Sequence, residues 1–310
     1  MRSLLAALLC AGFLRADVPL TAQEIVRRSV SVNERDWKAG PSFEHQEREI
    51  DRKDGIVTDH TYEVITMDGT PYRRLIGIDG KPLSPARERL EMQKQGRELA
   101  RRRQETPQER QQRIQKYQKD RDRDHLLMTQ MAVAFTFHLN GEEPIDGHPS
   151  YVLTAEPRPD YRPVSREAKV LLGMRGKMWI DKDQFHWAKV EAEVIRPVTF
   201  GGFIARVDPG TRFALVADPV SNDIWQPRRF EVNVVASVLF WSRNSVTTDL
   251  YSGYRGRVLS RLQPRAGPAL QVELEAQKLE QIPQRHDRQQ PVLIDNQQPC
   301  QTRRAHLGER

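Results

Sequence analysis

Two aspartates separated by one residue, Asp181 and Asp183, have a spacing that general acid and base chemistry could use. Aspartates at a tight turn, however, commonly accept hydrogen bonds from the backbone just after them, because the side chain is short. We therefore interpret this pair as turn-forming and not as catalytic.

Histidine and cysteine suggest no metal or nucleophile site. The eight histidines are scattered, and no two are four residues apart, the spacing that places two ligands on one helix face. His45 and His60 lie on or beside predicted strands, and His138 and His148 lie near a predicted hairpin. Cys300 lies in the tail, without a nearby basic helix start or strand context, so we do not interpret it as a nucleophile.

Motifs for nucleotides, metals and nucleophilic serines are absent from the sequence: it contains no phosphate-binding loop, no G-x-G-x-x-G, no H-E-x-x-H, no C-x-x-C and no G-x-S-x-G. We predict a protein that is not an enzyme, with no catalytic residue, no metal and no cofactor. A hydrolase assembled from dispersed residues is the alternative that this pattern leaves open.

The N-terminus is typical of an export signal. Residues 1–16 combine Arg2, a short apolar run from Leu4 to Leu14, and a small residue, Ala16, before the expected cleavage site. Removal of this segment changes the formal net charge from +7 to +5 and leaves Cys300 as the single cysteine. We predict a periplasmic protein without an intramolecular disulfide, which could be peripheral to a membrane.

A highly charged segment interrupts the chain at residues 84–131. Between Ser84 and His125 it contains 13 basic and 8 acidic residues, with apolar positions too sparse for a buried stripe. Ser84-Pro85 and the capping box from Thr106 to Glu109 predict helices at about 85–104 and 107–131. We expect a solvated helical hairpin that projects from the body. It could bind an anionic membrane surface or an envelope protein, while the near absence of aromatic residues disfavours nucleic acid.

The rest of the chain is dominated by predicted antiparallel strands after one helix. The helix begins at the capping box of Thr21 and Glu24 and should end near Val32. Asp-Gly pairs punctuate the early strands, and alternation of period two marks His186–Val194, Phe230–Phe240 and Val246–Tyr254. In the last segment the even positions, such as Val246 and Leu250, form the expected apolar face. Roughly ten such strands predict an α+β fold with one large, curved antiparallel sheet packed on helices.

Four segments of the sequence resemble a known family. They are Leu20–Ile25, Arg175–Lys182 with its Gly-Lys-Met-Trp-Ile-Asp core, Trp225-Gln226-Pro227, and Tyr251–Arg255. Together they resemble the LolA/LolB/RseB-like periplasmic outer-membrane lipoprotein-sorting protein superfamily, over about residues 18–83 and 126–258. The resemblance implies a half-barrel sheet wrapped around helices, with an apolar concavity for acyl chains.

From the resemblance and the strand pattern we expect a non-enzymatic carrier or sensor that binds a lipid or a lipoprotein acyl chain in the concave face. The candidate lining residues are Phe230, Val232, Val234, Val238 and Phe240; the alternative is that they are ordinary core. Trp179 and Trp187 alternate opposite to the aliphatic positions, so we expect them on the convex face or at a rim.

The expected organisation is a signal peptide (1–16), one LolA-like β domain (17–262) that includes the charged insertion (84–131), and an extension (263–310) with a largely disordered tail. The second class of function that the sequence allows is an envelope scaffold or interaction protein. It would dock through the basic helical hairpin without a small ligand.

Overall fold

The computed structural model describes residues 19–200, 205–238 and 241–256. Three α-helices are α1 (Ala22–Ala39), α2 (Pro85–Arg103) and α3 (Pro107–Ala134), with 3₁₀ turns at Gly40–Ser42 and Glu167–Gly173. The first four strands are β1 (Phe43–Lys53), β2 (Ile56–Met67), β3 (Thr70–Ile78) and β4 (Lys81–Pro82). The next four are β5 (Phe135–Ile145), β6 (His148–Pro157), β7 (Met174–Asp181) and β8 (Trp187–Val194). The last five are β9 (Val198–Phe200), β10 (Ala205–Val207), β11 (Arg212–Ser221), β12 (Ile224–Val238) and β13 (Trp241–Gly256).

All thirteen strands join one antiparallel sheet, in the order β4-β3-β2-β1-β13-β12-β11-β8-β7-β6-β5, with β10 beside β12 and β9 beside β10. The two end strands, β4 and β5, do not pair with each other, so the sheet is an open half-barrel. The predicted α+β class is therefore confirmed. No helix within the described part of the chain is long and apolar enough to cross a membrane.

Local sequence signals positioned the early elements correctly. Asp54, Asp68, Asp79 and Asp146 all have positive φ, and each precedes a glycine that does too, as tight hairpin turns require. Helix α1 is longer than predicted and ends at Ala39, not near Val32. Its last two turns carry Asp36 and Trp37, whose contacts with the sheet and with α3 stabilise residues that local propensity would not hold.

The charged insertion does not project from the body, which corrects the sequence-based expectation. Arg102 is fully buried and donates to the carbonyl oxygens of Met67 and Thr70 at 2.7 and 2.9 Å. Arg113 donates to the Thr70 hydroxyl at 2.7 Å and pairs with Glu105 at 2.6 Å. These two guanidinium groups bind the turn between β2 and β3, and we call this contact the insertion clamp.

Two predictions of strand facing were wrong. Trp187 lies in the core, because a bulge in the pairing of β7 with β8 places it opposite Ile180 and on the side of Val190. Trp179 stays on the opposite face, where Lys177 and Lys189 lie 4.4 and 4.5 Å from its ring.

Strand β13 also faces the other way. As far as Leu250, its odd positions, including Thr247, share a side with Val232 of β12, and its even positions turn outward. The even side of β13, predicted as the apolar face, is therefore not the side on which the core lies.

Candidate functional site

One face of the sheet carries the hydrophobic core and the helices, and we call it the inner face. Val232 of β12 pairs with Phe213 of β11, which pairs with Ala192 of β8, and directly paired residues share a side. The pairs continue from Ala192 through β7 and β6 to the buried residues Ala155 and Phe137. Val232 therefore belongs to the same continuous face as the core.

The structure places three of the five candidate lining residues on this inner face. Val232 is only 1% exposed, and Phe230 and Val234 are half-buried on the same side of β12. Val238 ends β12, but its side chain is not described, and Phe240 lies outside the described residues. The three described residues are thus gathered on the face on which helix α1 packs.

Strands β5 to β8 and β11 form what we call the apolar half of the inner face. Its buried members include Leu153, Met178 and Ile180, which share one cluster with Ile25 and Val26 of α1 and with residues of α3 and of the 3₁₀ turn at Glu167–Gly173. Within this packing the Trp187 indole nitrogen donates to the Ser29 hydroxyl at 3.1 Å, and that hydroxyl donates to the Val26 carbonyl at 2.9 Å. Removal of this apolar surface from water stabilises the packing.

Strands β1, β2, β3 and β13 form the charged half of the inner face. Glu47 and Glu49 of β1 pair in register with Tyr251 and Asp249 of β13, so these side chains share one side. Arg73 of β3 bridges the two glutamates at 3.0 and 2.7 Å. Its guanidinium carbon lies 3.9 Å from the ring centre of Tyr62. Charged side chains therefore occupy this half where hydrocarbon occupies the other.

Strand β12 is the border between the halves. On the inner face its Phe230 pairs with Asp249, and its Val232 pairs with Thr247. An apolar chain that lies along β12 would have hydrocarbon on one side and polar groups on the other.

The C-terminal end of α1 is fixed to the sheet by a buried polar cluster, which we call the α1 anchor. Asp36 accepts from His186 Nδ1 at 2.6 Å and from the Trp225 amide at 3.3 Å, and its own carbonyl accepts from Gln226 at 2.8 Å. The His186 ring stacks on Trp225 with 5.1 Å between centroids. Gln184 Oε1 lies 3.1 Å from His186 Nε2, so both ring nitrogens face an oxygen. Both ring nitrogens of this buried histidine are therefore engaged in the anchor.

A second contact joins α1 to α3. Trp37 lies between the His125 ring, stacked at 4.1 Å, and the Arg121 guanidinium, 4.0 Å from the indole centre. Glu34 contacts His125 Nε2. Burial opposes ionisation of Glu34, but its hydrogen bonds with Lys38 and His125 prevail and lower its pKa. The C-terminal end of α1 is therefore held from the sheet side and from the α3 side.

Two shallow depressions of the described surface lie away from the apolar half. One of about 510 Å³ is lined by His148, Asp181, Asp183 and Trp225, among others, next to the α1 anchor. The other, of about 620 Å³, is lined by residues 52–57 and Asn244. In this conformation α1 and the end of α3 pack on the apolar half.

The paired aspartates behave as the sequence analysis expected. Asp181 Oδ1 accepts from the amides of Asp183 and Gln184 at 3.1 and 2.7 Å, which is a turn-forming pattern. Within residues 19–200, 205–238 and 241–256 no three His, Cys, Asp or Glu side chains are grouped as a metal site. Sequence reasoning missed Asp36 and His186 as a pair, because 150 residues separate them. The one local signal was an aspartate beside a tryptophan, Asp36-Trp37, beyond the predicted end of the helix.

No protein-family model and no curated protein matches this sequence. Solved structures similar to it include a DUF1329 family protein from Desulfovibrio piger, with 12% identity and a TM-score of 0.32 over 78% of this chain and 95% of that one. A LolA superfamily protein from Nitrosomonas europaea gives 12% identity and a TM-score of 0.31, over 78% of this chain and 96% of that chain. An outer membrane lipoprotein-sorting protein domain from Vibrio parahaemolyticus gives 9% identity and a TM-score of 0.30, over 76% and 95%.

The family that the sequence resembles thus reappears among the similar structures. Because the identities and TM-scores are low, the function of this chain has to be argued from its own residues.

Proposed function

We propose that this protein is a non-enzymatic periplasmic carrier or sensor that binds the acyl chain of a lipid or lipoprotein on the apolar half of its inner face. The observation that carries the proposal is the division of one open sheet at β12, with α1, the end of α3 and the 3₁₀ turn at Glu167–Gly173 packed on the apolar half. Phe230, Val232 and Val234 would line the site at the border, with Val238 and Phe240 as its proposed continuation.

The physical basis is burial of hydrocarbon, at about 0.8 kcal/mol for each CH₂ group removed from water. Because α1 packs on this half, the chain would bind as α1 moves outward, and the acyl chain would take over the contacts that Ile25 and Val26 make. The α1 anchor at Asp36 would then act as the hinge or the release point of a lid.

The proposal includes the organisation and location expected from the sequence. Residues 1–16 would be removed on export, residues 17–262 would form the carrier domain, and residues 263–310 would be an extension. The cargo would be a lipid or an acylated lipoprotein, with no nucleic acid, metal or cofactor.

Native mass spectrometry tests this function. The chain from Asp17 onward is expressed with its signal, purified without detergent, and extracted for lipid. We expect a bound mass of lipid size, and we expect Val234→Asp to abolish it because a carboxylate on the inner face cannot lie in hydrocarbon without a large desolvation cost.

Val235→Asp is the matched control, because Val235 is next in the same strand, is also half-buried, and points to the opposite face. Both variants must show the circular dichroism of the folded protein. A clean ligand-free mass that does not change when lipids or acylated peptides are added would contradict the proposal.

A second candidate function is an envelope scaffold that docks through the insertion. Its supporting observation is a set of exposed basic side chains for which no ion pair is found within the described ranges: Arg87, Arg89, Arg97, Arg103, Arg110 and Lys119. Such a surface suits an acidic protein partner. Stoichiometric co-purification of a protein that is lost when these residues are changed to glutamine, with no bound lipid, would favour the scaffold.

A further inference from the structure

The hairpin between β1 and β2 ends in a tip, residues 52–57, whose composition differs from the rest of the surface. Ile56 and Val57 are 68% and 57% exposed, although large aliphatic side chains are usually buried. Arg52 and Lys53, also exposed, lie on the facing strand. We call this segment the β1–β2 tip.

Strand register places one cation beside each aliphatic side chain. Lys53 pairs with Ile56, and Arg52 pairs with Val57, so each pair shares one side of the hairpin. Both sides of the tip therefore present hydrocarbon next to a positive charge. Asp54, at the turn, leaves the tip with a net charge of +1.

The tip is held rigidly. Asp54 and Gly55 have φ values of 52° and 79°, the positive values that a two-residue turn of this kind requires. Strand β1 is paired on both sides as far as Lys53, with β2 on one side and β13 on the other. Binding of Ile56 and Val57 to a partner therefore costs little conformational entropy, because the backbone that carries them is already ordered.

We propose that the β1–β2 tip is a docking surface for a membrane that contains anionic lipid. Ile56 and Val57 enter the boundary between headgroups and acyl chains, while Arg52 and Lys53 remain at the level of the phosphates. A protein partner fits less well, because stable interfaces bury roughly 800 Å² on each side and this patch offers two aliphatic side chains.

The position of the tip is consistent with this role. It lies at the end of β1 opposite to Phe43, whereas the insertion clamp at Met67 and Thr70 lies at the Phe43 end, since Val64 pairs with His45. The membrane contact thus belongs to the sheet and not to the charged insertion. It is independent of the proposed acyl-chain site, and neither proposal depends on the other.

Vesicle flotation of the chain from Asp17 onward tests the proposal. Vesicles are made of phosphatidylcholine with an equal part of phosphatidylglycerol, or of phosphatidylcholine alone. Ile56→Ser with Val57→Ser should weaken binding to the anionic vesicles about ten-fold, since removing two partly inserted side chains costs about 1.4 kcal/mol.

Leu90→Ser with Met92→Ser is the matched control. These residues are 54% and 57% exposed on α2, and a spacing of two places them on different sides of the helix. This variant should bind as the unchanged protein does. Arg52→Gln with Lys53→Gln should weaken binding to the anionic vesicles by roughly five-fold for each charge removed and leave binding to neutral vesicles unchanged.

Three results would overturn the proposal. They are a lack of vesicle binding by the unchanged chain, equal binding by the tip variants and the unchanged chain, and a dimer in sedimentation that only the tip variants lose, which would assign the patch to a second copy. Because the experiment measures vesicles and not bound acyl chains, its failure leaves the carrier function untouched.

Discussion

The two halves of the inner face are parts of one hydrogen-bonded sheet, yet they are stabilised in different ways. In the apolar half Leu153 and Ile180 are fully buried under α1, and hydrocarbon contacts dominate. In the charged half Arg73 binds Glu47 and Glu49, and a tyrosine ring covers its guanidinium. Only the apolar half offers a ligand the contacts that an acyl chain can use, which is why the site is proposed there.

The largest effect should come from the apolar half. Leu153→Ala removes a fully buried side chain and should lower the free energy of unfolding by about 3–4 kcal/mol, because a cavity remains under α1. Urea unfolding followed by circular dichroism measures it. Val133→Ala, at an exposed position of α3, should change it by less than about 0.5 kcal/mol. Equal effects for the two variants would contradict the assignment of the core.

The next largest effect concerns the α1 anchor, which holds helix α1 on the apolar half. Asp36→Ala leaves His186 and the Trp225 amide without their acceptor and should cost about 3 kcal/mol. It should also speed hydrogen exchange in the last two turns of α1. Asp36→Asn retains an acceptor oxygen and should cost less. Exchange that stays as slow in Asp36→Ala as in the parent would show that the anchor does not hold the helix.

A substitution in the charged half should have a smaller effect on the free energy of unfolding, and this effect should depend on the two glutamates that Arg73 binds. Arg73→Met should lower the free energy of unfolding by about 2 kcal/mol, because two largely buried carboxylates lose a shared cation. In a Glu47→Gln, Glu49→Gln background the same change should cost much less, whereas Leu153→Ala should cost as much as before. If Arg73→Met costs the same in both backgrounds, the ion pairs do not stabilise this half.

The smallest effect should be a loss of stability in helix α2 of the insertion at acidic pH. Hydrogen bonds from Arg101, and then from Arg102, lower the pKa of Glu98 from 4.5 to about 2. A lowered pKa stabilises the folded state fully above pH 4.5, and this stabilisation is lost as the pH falls towards 2. Hydrogen exchange in α2 should therefore accelerate within that window, after correction for its intrinsic pH dependence, before exchange in β6 and β7 does. If exchange in α2, β6 and β7 accelerated at the same pH, the insertion clamp would not stabilise α2 separately from the sheet.

Sequence reasoning predicted well the features that short segments specify. The caps at Thr21, Ser84 and Thr106 set the starts of all three α-helices, and the Asp-Gly pairs set the early hairpins. These signals act over a few residues, so no tertiary contact is needed to read them.

Contacts between distant segments were not predictable in the same way. Trp187 was assigned to the wrong face because a bulge opposite Trp179 and Ile180 shifts the alternation, and nothing in β8 alone shows this. The insertion was predicted to be solvated because its apolar positions are too sparse for a buried stripe. It is held instead through Arg102, whose carbonyl acceptors are contributed by a turn more than thirty residues earlier.

The candidate lining residues of the acyl-chain site stay a prediction. The even positions of β12 identified Val232 and its neighbours, and the register confirms that they share the inner face. The charged character of the adjoining half was missed, because Glu47 and Glu49 alternate with polar residues and β1 shows no apolar side of its own. Only the pairing with β13 shows that they face inward.

Photocrosslinking with a fatty acid that carries a diazirine near its methyl end tests the central claim most directly. The purified chain is irradiated with the probe, digested, and the labelled peptides are identified by mass spectrometry. The account predicts labels in β11, β12 and α1, where Phe213, Val232 and Ile25 lie, and competition by unlabelled fatty acid. Labels confined to β1, β2 and β3, or labels that unlabelled fatty acid does not displace, would contradict it.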